Sequence, residues 1–298
     1  MTSPISDPWG VILIGVFISL ILYGIIVAQV FTYYENSDRD PLWQKAFVGI
    51  LFLLDTLSSI LAMAWMYQLL VDNWGNIVAF ESGDWLLAAD PMVAGMVAFM
   101  VQLFFAWRIH IVAAKPLLTT GIVLCSFVTL CGGIGTGIAV LWVKSYALFA
   151  SFQQIAVIWL ISATVGDISI TTALTYHLRR RKGAFEATDR LLDRIVQLTI
   201  QNGLLTSIVS IVDISLYLST PKPYHIALSF LMPKLYANTV LSSLNARRRL
   251  RPLGKITDSG STSTRAPDVV TLSHSGRRPE VLVSTEVHEL TDVKSEWK

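Results

Sequence analysis

Four ionisable side chains stand inside long apolar runs of this 298-residue chain: Asp55, Asp167, Asp213 and Lys234. A charge within hydrocarbon is costly, and it marks either a function or a partner. At the rise of an α-helix, Asp55 lies roughly 14 Å and Asp167 about 15 Å in from one side, and Lys234 roughly 14 Å in from the other. In a hydrocarbon core about 30 Å thick these three meet near the midplane. Asp213 is shallower. A lysine between carboxylates at one depth suggests a buried ion-pair cluster, in which pairing offsets a desolvation cost of several kcal/mol per ion. The chemistry open to it is a helix clasp, a ligand site or a proton site. Pro233 removes a backbone hydrogen bond beside Lys234 and is the candidate hinge. Gln102 and Asn238 are further polar candidates. With Gln29 and Asn202 they suit interhelical hydrogen bonds, while Arg108 is placed at a membrane edge, reaching headgroups.

Other chemistries fit less well. A lysine in the last apolar run raises a retinal Schiff base, but the third run offers only Gln102 at that depth. His110 and His177 fall short of a three-ligand metal set, so no metal, no cofactor and no catalytic residue is expected. An intramembrane hydrolase is the remote enzymatic alternative.

The elements that must position these residues are seven apolar stretches: Gly10–Phe31, Ala46–Val71, Pro91–Val112, Leu117–Val143, Phe152–His177, Ile195–Leu218 and His225–Ala246. Each is long enough to cross a bilayer. The composition agrees, at 53% hydrophobic, 15% charged and a mean hydropathy of +0.56, against about 25% charged for a soluble domain. The fold class is therefore an all-α, seven-helix polytopic membrane protein.

Positive charge orients it. All but three of the 23 Lys and Arg residues lie at or beyond alternate ends of these stretches, on one side. Lys144 and Lys222 lie on the other side and Lys234 lies inside. By the positive-inside rule the N-terminus is outside and the C-terminus cytoplasmic. Met1–Trp9 has no basic residue, and the first run is too long for a typical signal peptide. Trp9, Trp43, Trp74, Trp85 and Trp142 fall near span ends, as an aromatic belt does.

Two basic clusters, Arg179-Arg180-Arg181-Lys182 and Arg247-Arg248-Arg249, are expected to face anionic headgroups of the lipid bilayer, with a cytoplasmic signalling partner as a further expectation. Nothing points to nucleic acid. Thr188–Asp193 extends the sixth span. Residues 1–255 read as one membrane domain. Residues 256–298 are Ser/Thr-rich, with few large apolar side chains, and are expected to be disordered. Cys125 and Cys131 sit together in the fourth span as small apolar residues. Gly133 and Gly137 in that span form a small-xxx-small pair, for which packing within the bundle is the default. No internal repeat of the kind that builds seven-span sugar carriers stands out.

Several short motifs mark successive spans: Leu22-Tyr23-Gly24, Leu54-Asp55-Thr56, Trp65-Met66-Tyr67, Asn73-Trp74-Gly75, Trp107-Arg108-Ile109, Gly166-Asp167-Ile168, Gly203-Leu204-Leu205-Thr206-Ser207 and Pro233-Lys234-Leu235-Tyr236-Ala237-Asn238. Together they resemble a large family of seven-helix integral membrane proteins from mushroom-forming fungi, whose C-terminal half is catalogued as a domain of unknown function. The resemblance implies a fungal membrane protein with N-terminus out and C-terminus in, and an Asp/Lys set at positions 55, 167 and 234 as a family feature. It implies no ligand, reaction or partner. Resemblance to G-protein-coupled receptors is poor: Trp107-Arg108-Ile109 stands where Asp-Arg-Tyr is usual, and no cysteine is available for an outer disulfide. The leading expectation is a receptor-like, signal-responsive protein of the plasma membrane, with the midplane cluster as ligand site or switch. The competing one is a small-solute or proton-coupled carrier using the same cluster.

Overall fold

The computed structural model describes residues 6–249 apart from 39, 77, 78, 81, 181–185 and 221. The Ser/Thr-rich tail, Arg181 and Lys182, and the side chains of Arg247, Arg248 and Arg249 lie outside what is described.

Helices α1 (Ser6–Glu35), α2 (Leu42–Tyr67), α3 (Trp85–Ala113), α4 (Pro116–Val143), α5 (Gln153–Arg180) and α6 (Glu186–Ser219) follow one another through short connections. The last segment is divided into α7 (His225–Ser229) and α8 (Met232–Arg249). A π-helical turn, Gln68–Asp72, prolongs α2, and a 3₁₀ turn, Tyr146–Phe152, leads into α5. Among the described residues the only extended pairing is an isolated bridge between Ser82 and Ser145.

Six helices are long and apolar enough to cross a membrane: Pro8–Glu35, Leu42–Asp72, Trp85–Ala113, Pro116–Val143, Gln153–Arg180 and Val196–Ser219. The final segment falls short because it is broken at Phe230–Leu231 and because α8 is polar in its second half, ending in three arginines. The distribution of polarity is that of a protein in lipid. Ile14, Phe17, Ile21, Phe31, Leu53, Leu117 and Ile158 are exposed on the outside of the bundle. Asp55, Asp90, Gln102, Asp167, Asp213 and Lys234 are buried inside it. Water would reverse that arrangement, while hydrocarbon requires it. The chain is thus a multi-pass integral membrane protein.

Two boundaries depart from the sequence reading in ways that matter. α3 begins at Trp85, not Pro91. Asp84 caps it, its Oδ1 accepting from the amides of Leu86 at 3.0 Å and Leu87 at 3.3 Å. That satisfies donors a helix start otherwise leaves orphaned, and Pro91 falls inside the helix. Asp90, read from sequence as the end of a loop, is instead a buried residue of α3. Pro233 is the second residue of α8, and it cannot donate to the carbonyl of Ser229 four residues before it. The irregular turn, Phe230–Leu231, falls between those two residues.

α3 is the central helix, and α4 lies directly on it. A Cβ on Gly133 would meet the Pro91 carbonyl oxygen at 2.7 Å and Gly95 Cα at 2.9 Å. Only glycine allows two backbones to come that close. The small-residue pair of the fourth span therefore serves packing within the bundle.

Candidate functional site

Depth alone groups Asp55, Asp167 and Lys234. The structure divides them between two polar sites, because successive residues of a helix turn by about 100°. Lys234 and Tyr236, two residues apart on α8, face roughly opposite ways, Lys234 toward α2 and Tyr236 toward α5.

Lys234 reaches Asp55. Its Nζ lies 3.4 Å from Asp55 Oδ1, with side chains 1% and 0% exposed. The same Nζ donates to the Asp55 carbonyl at 2.9 Å, which also accepts from Ser59 Oγ at 2.8 Å. Nζ stands 5.9 Å from the centre of the Tyr23 ring on α1, and the Tyr23 hydroxyl is 2.9 Å from Thr56 Oγ1. Asn238 secures the next turn, donating to the Lys234 carbonyl at 2.8 Å and accepting from Gln29 Nε2 at 3.1 Å. Asn245 Nδ2 donates to the Gln29 carbonyl at 2.9 Å. The ion pair thus sits in a closed seam of α1, α2 and α8.

Asp167 has other partners. Gln102 of α3 donates from Nε2 to Asp167 Oδ1 at 3.1 Å and to the Ala163 carbonyl at 3.2 Å. Tyr236 donates its hydroxyl proton to Asp167 Oδ2 at 2.8 Å. Gly166 makes room for the Gln102 amide, since a Cβ there would come within 2.9 Å of Nε2. Gln102, Asp167, Thr199, Thr206 and Tyr236 surround a cavity of about 20 Å³, enough for one water. Lys234 is not part of this group.

The remaining buried carboxylates gather at the end of the bundle where α1 begins. Asp90 of α3 and Asp213 of α6 line a cavity of about 60 Å³, together with Tyr217, His225 and Ser229. Ser229 Oγ donates to Asp90 Oδ2 at 2.9 Å, and Tyr217 donates to the Phe149 carbonyl at 3.2 Å. Of this set the sequence reading singled out only Asp213. Asp90 was hidden by its place before a proline, although Asp84 followed by an apolar run was a legible helix start.

Arg108, expected among headgroups, instead donates to Ser243 Oγ of α8 at 2.6 Å. Asn202 donates to Ser242 Oγ at 2.9 Å. Arg179 and Arg180 are exposed at the end of α5. Among the described residues no three His, Cys, Asp or Glu side chains are placed to hold a metal ion.

Residues 163–249 match the model of a family of unknown function (DUF6534). The matched stretch runs from within α5 through α8. It holds Asp167, Asp213, Lys234 and Tyr236, but not Asp55, Asp90 or Gln102. No curated protein and no solved structure matches the chain.

Proposed function

We propose that this chain is a receptor-like, signal-responsive protein of the plasma membrane. In this reading it is a member of the fungal seven-helix family it resembles, with the broken last segment as a seventh span, the N-terminus outside and the C-terminus cytoplasmic. It performs no catalysis, and the Lys234–Asp55 pair is its switch. The observation that carries this is the placement of a buried ion pair three residues after a break in the same span. The helix tightens to a turn at Phe230–Leu231, where Phe230 N donates to the Ile226 carbonyl at 3.3 Å and Leu231 N to the Leu228 carbonyl at 3.0 Å, and Lys234 then ties the far piece to α2 at 3.4 Å. A buried pair is weak support for stability but a good two-state element: made, it holds one arrangement, and broken, it leaves charges that demand another. The basic residues Arg179–Lys182 and Arg247–Arg249, with the tail from residue 256, supply the surface for headgroups and a cytoplasmic signalling partner.

The test expresses three forms in the same fungal cells and compares their transcript profiles. The forms are wild type, Asp55→Asn, and Asp55→Asn with Arg179–Lys182 neutralised and residues 256–298 removed. The expected result is a changed profile for Asp55→Asn without stimulus, abolished by the cytoplasmic lesions. A profile equal to wild type, or one that survives those lesions, refutes the reading.

The same break favours a second reading, since carriers place discontinuous helices beside buried charges. A small-solute or proton-coupled carrier would use Asp55, Asp167 and Lys234 along its route. Solute uptake into vesicles that is unchanged by Lys234→Ala removes this alternative.

A further inference from the structure

The cavity between α3, α4, α5, α6 and α7 shares no lining residue with the Lys234–Asp55 pair and carries an inference of its own. Its walls are mostly apolar, with Leu87, Val140, Phe149, Phe152, Trp159 and Leu160 among the lining residues. Into this setting the chain places two carboxylates, Asp90 and Asp213, each 3% exposed. Each has an oxygen, Oδ1, with no hydrogen-bond partner. His225 adds an unpartnered Nδ1 to the same wall. Among the described residues neither Asp90 nor Asp213 has an ion-pair partner, and the nearby lysine of the last span, Lys234, is paired with Asp55. Two acceptor-bearing acids in one mostly apolar chamber are complementary to a positive ligand with N–H donors. The volume, about 60 Å³, holds a body of roughly four to six non-hydrogen atoms. Aromatic side chains favour an organic cation over a hydrated inorganic one, and among the described residues no three His, Cys, Asp or Glu side chains are placed to hold a metal ion.

We propose that this cavity binds a compact organic ammonium ion, its nitrogen held by Asp90 and Asp213 and its apolar body against Trp159 and Phe152. Ser229, which donates to Asp90 at 2.9 Å, fixes one carboxylate oxygen and leaves the other turned to the ligand. The site stands whether or not the chain signals, because it is defined by binding alone.

The experiment uses the full chain in dodecyl maltoside, a neutral detergent that supplies no amine. Isobutylammonium and its neutral counterpart isobutanol are titrated by calorimetry and by thermal unfolding, against wild type, Asp213→Asn and Ala156→Leu. The last variant fills the chamber without touching a carboxylate, and it keeps the test decisive if Asp213→Asn does not fold. The expected result is saturable binding of isobutylammonium to wild type, weakened at least tenfold in each folded variant, little affected by exchanging sodium for potassium chloride, and no comparable binding of isobutanol. Absence of isobutylammonium binding at 50 mM overturns the proposal. So does equal binding of isobutanol, displacement by either alkali cation at matched concentration, or affinity unchanged in the variants.

Discussion

Replacing Lys234 by methionine removes the charge and keeps an unbranched side chain one atom shorter. The consequence follows from the geometry of its partner. At 3.4 Å and an effective dielectric constant of about 20, the lost attraction is about 5 kcal/mol. Asp55 is fully enclosed at 0% exposure, so its carboxylate cannot recover hydration. Stranding one member of a buried pair costs about 3–5 kcal/mol. The Asp55 carbonyl is less affected, since Ser59 Oγ still donates to it at 2.8 Å. For a chain of this size the expected fall in unfolding midpoint is on the order of 10 °C. Intrinsic fluorescence of the nine tryptophans in detergent reports it, and Trp65 is a local probe because its ring lies 5.5 Å from that of Phe230 at the joint. The decisive comparison adds Asp55→Leu. Exchange of both charges for apolar side chains removes the stranded group, so the double variant should regain most of the loss. A Lys234→Met stability within about 1 kcal/mol of wild type, or a double variant whose loss equals the sum of the two singles, refutes the account of Lys234 and Asp55 as one energetic unit.

Tyr236→Phe strips Asp167 Oδ2 of its donor at 2.8 Å, and the same unfolding assay should show a loss of about 1.5–3 kcal/mol, typical of a hydrogen bond to a charged group. Gly133→Ala forces a methyl against the Pro91 carbonyl and should lower stability by about 1–3 kcal/mol. Gly121→Ala, where nothing lies within 4 Å of the new atom, should be neutral or slightly stabilising through helix propensity. The proposed orientation is read by impermeant thiol labelling of intact cells, with Cys125 and Cys131 replaced by alanine. A cysteine at Asn76 should label from outside, and one at Asn36 only after permeabilisation; the opposite pattern inverts the topology.

What the sequence made legible was height along the membrane normal, because apolar runs and a fixed rise per residue measure it directly. Six of the helices and the burial of Asp55, Asp167, Asp213 and Lys234 follow from that measurement. What it left open was rotation about each helix axis. Lys234 and Asp167 share a depth, yet Tyr236, not Lys234, faces α5, and a one-dimensional estimate of depth cannot distinguish those faces. Asp90 was lost for a different reason. A proline ordinarily signals a boundary at the residue before it, and here the helix cap at Asp84 and the contacts of α3 with α4 override that signal. Arg108 misled through its length. A long cationic side chain near a span end can reach headgroups, but Ser243 of a neighbouring helix offers a partner nearer at hand.

The glycine contact between α3 and α4 has a mechanical consequence. Where Gly133 meets Gly95 and the Pro91 carbonyl, backbone touches backbone, with no side chain between them to change rotamer and absorb a displacement. Sliding or rolling these two helices past each other would drive atoms of fixed position into contact, so they move as one rigid body. Relative motion in this protein must therefore fall elsewhere, and not between α1 and α7, where a Cβ on Gly15 would meet the Ala227 carbonyl oxygen at 2.7 Å and its Cα at 2.9 Å. The seam of α3 and α4 thus forms a keel, and the contact of α1 with α7 is a second seam of the same kind.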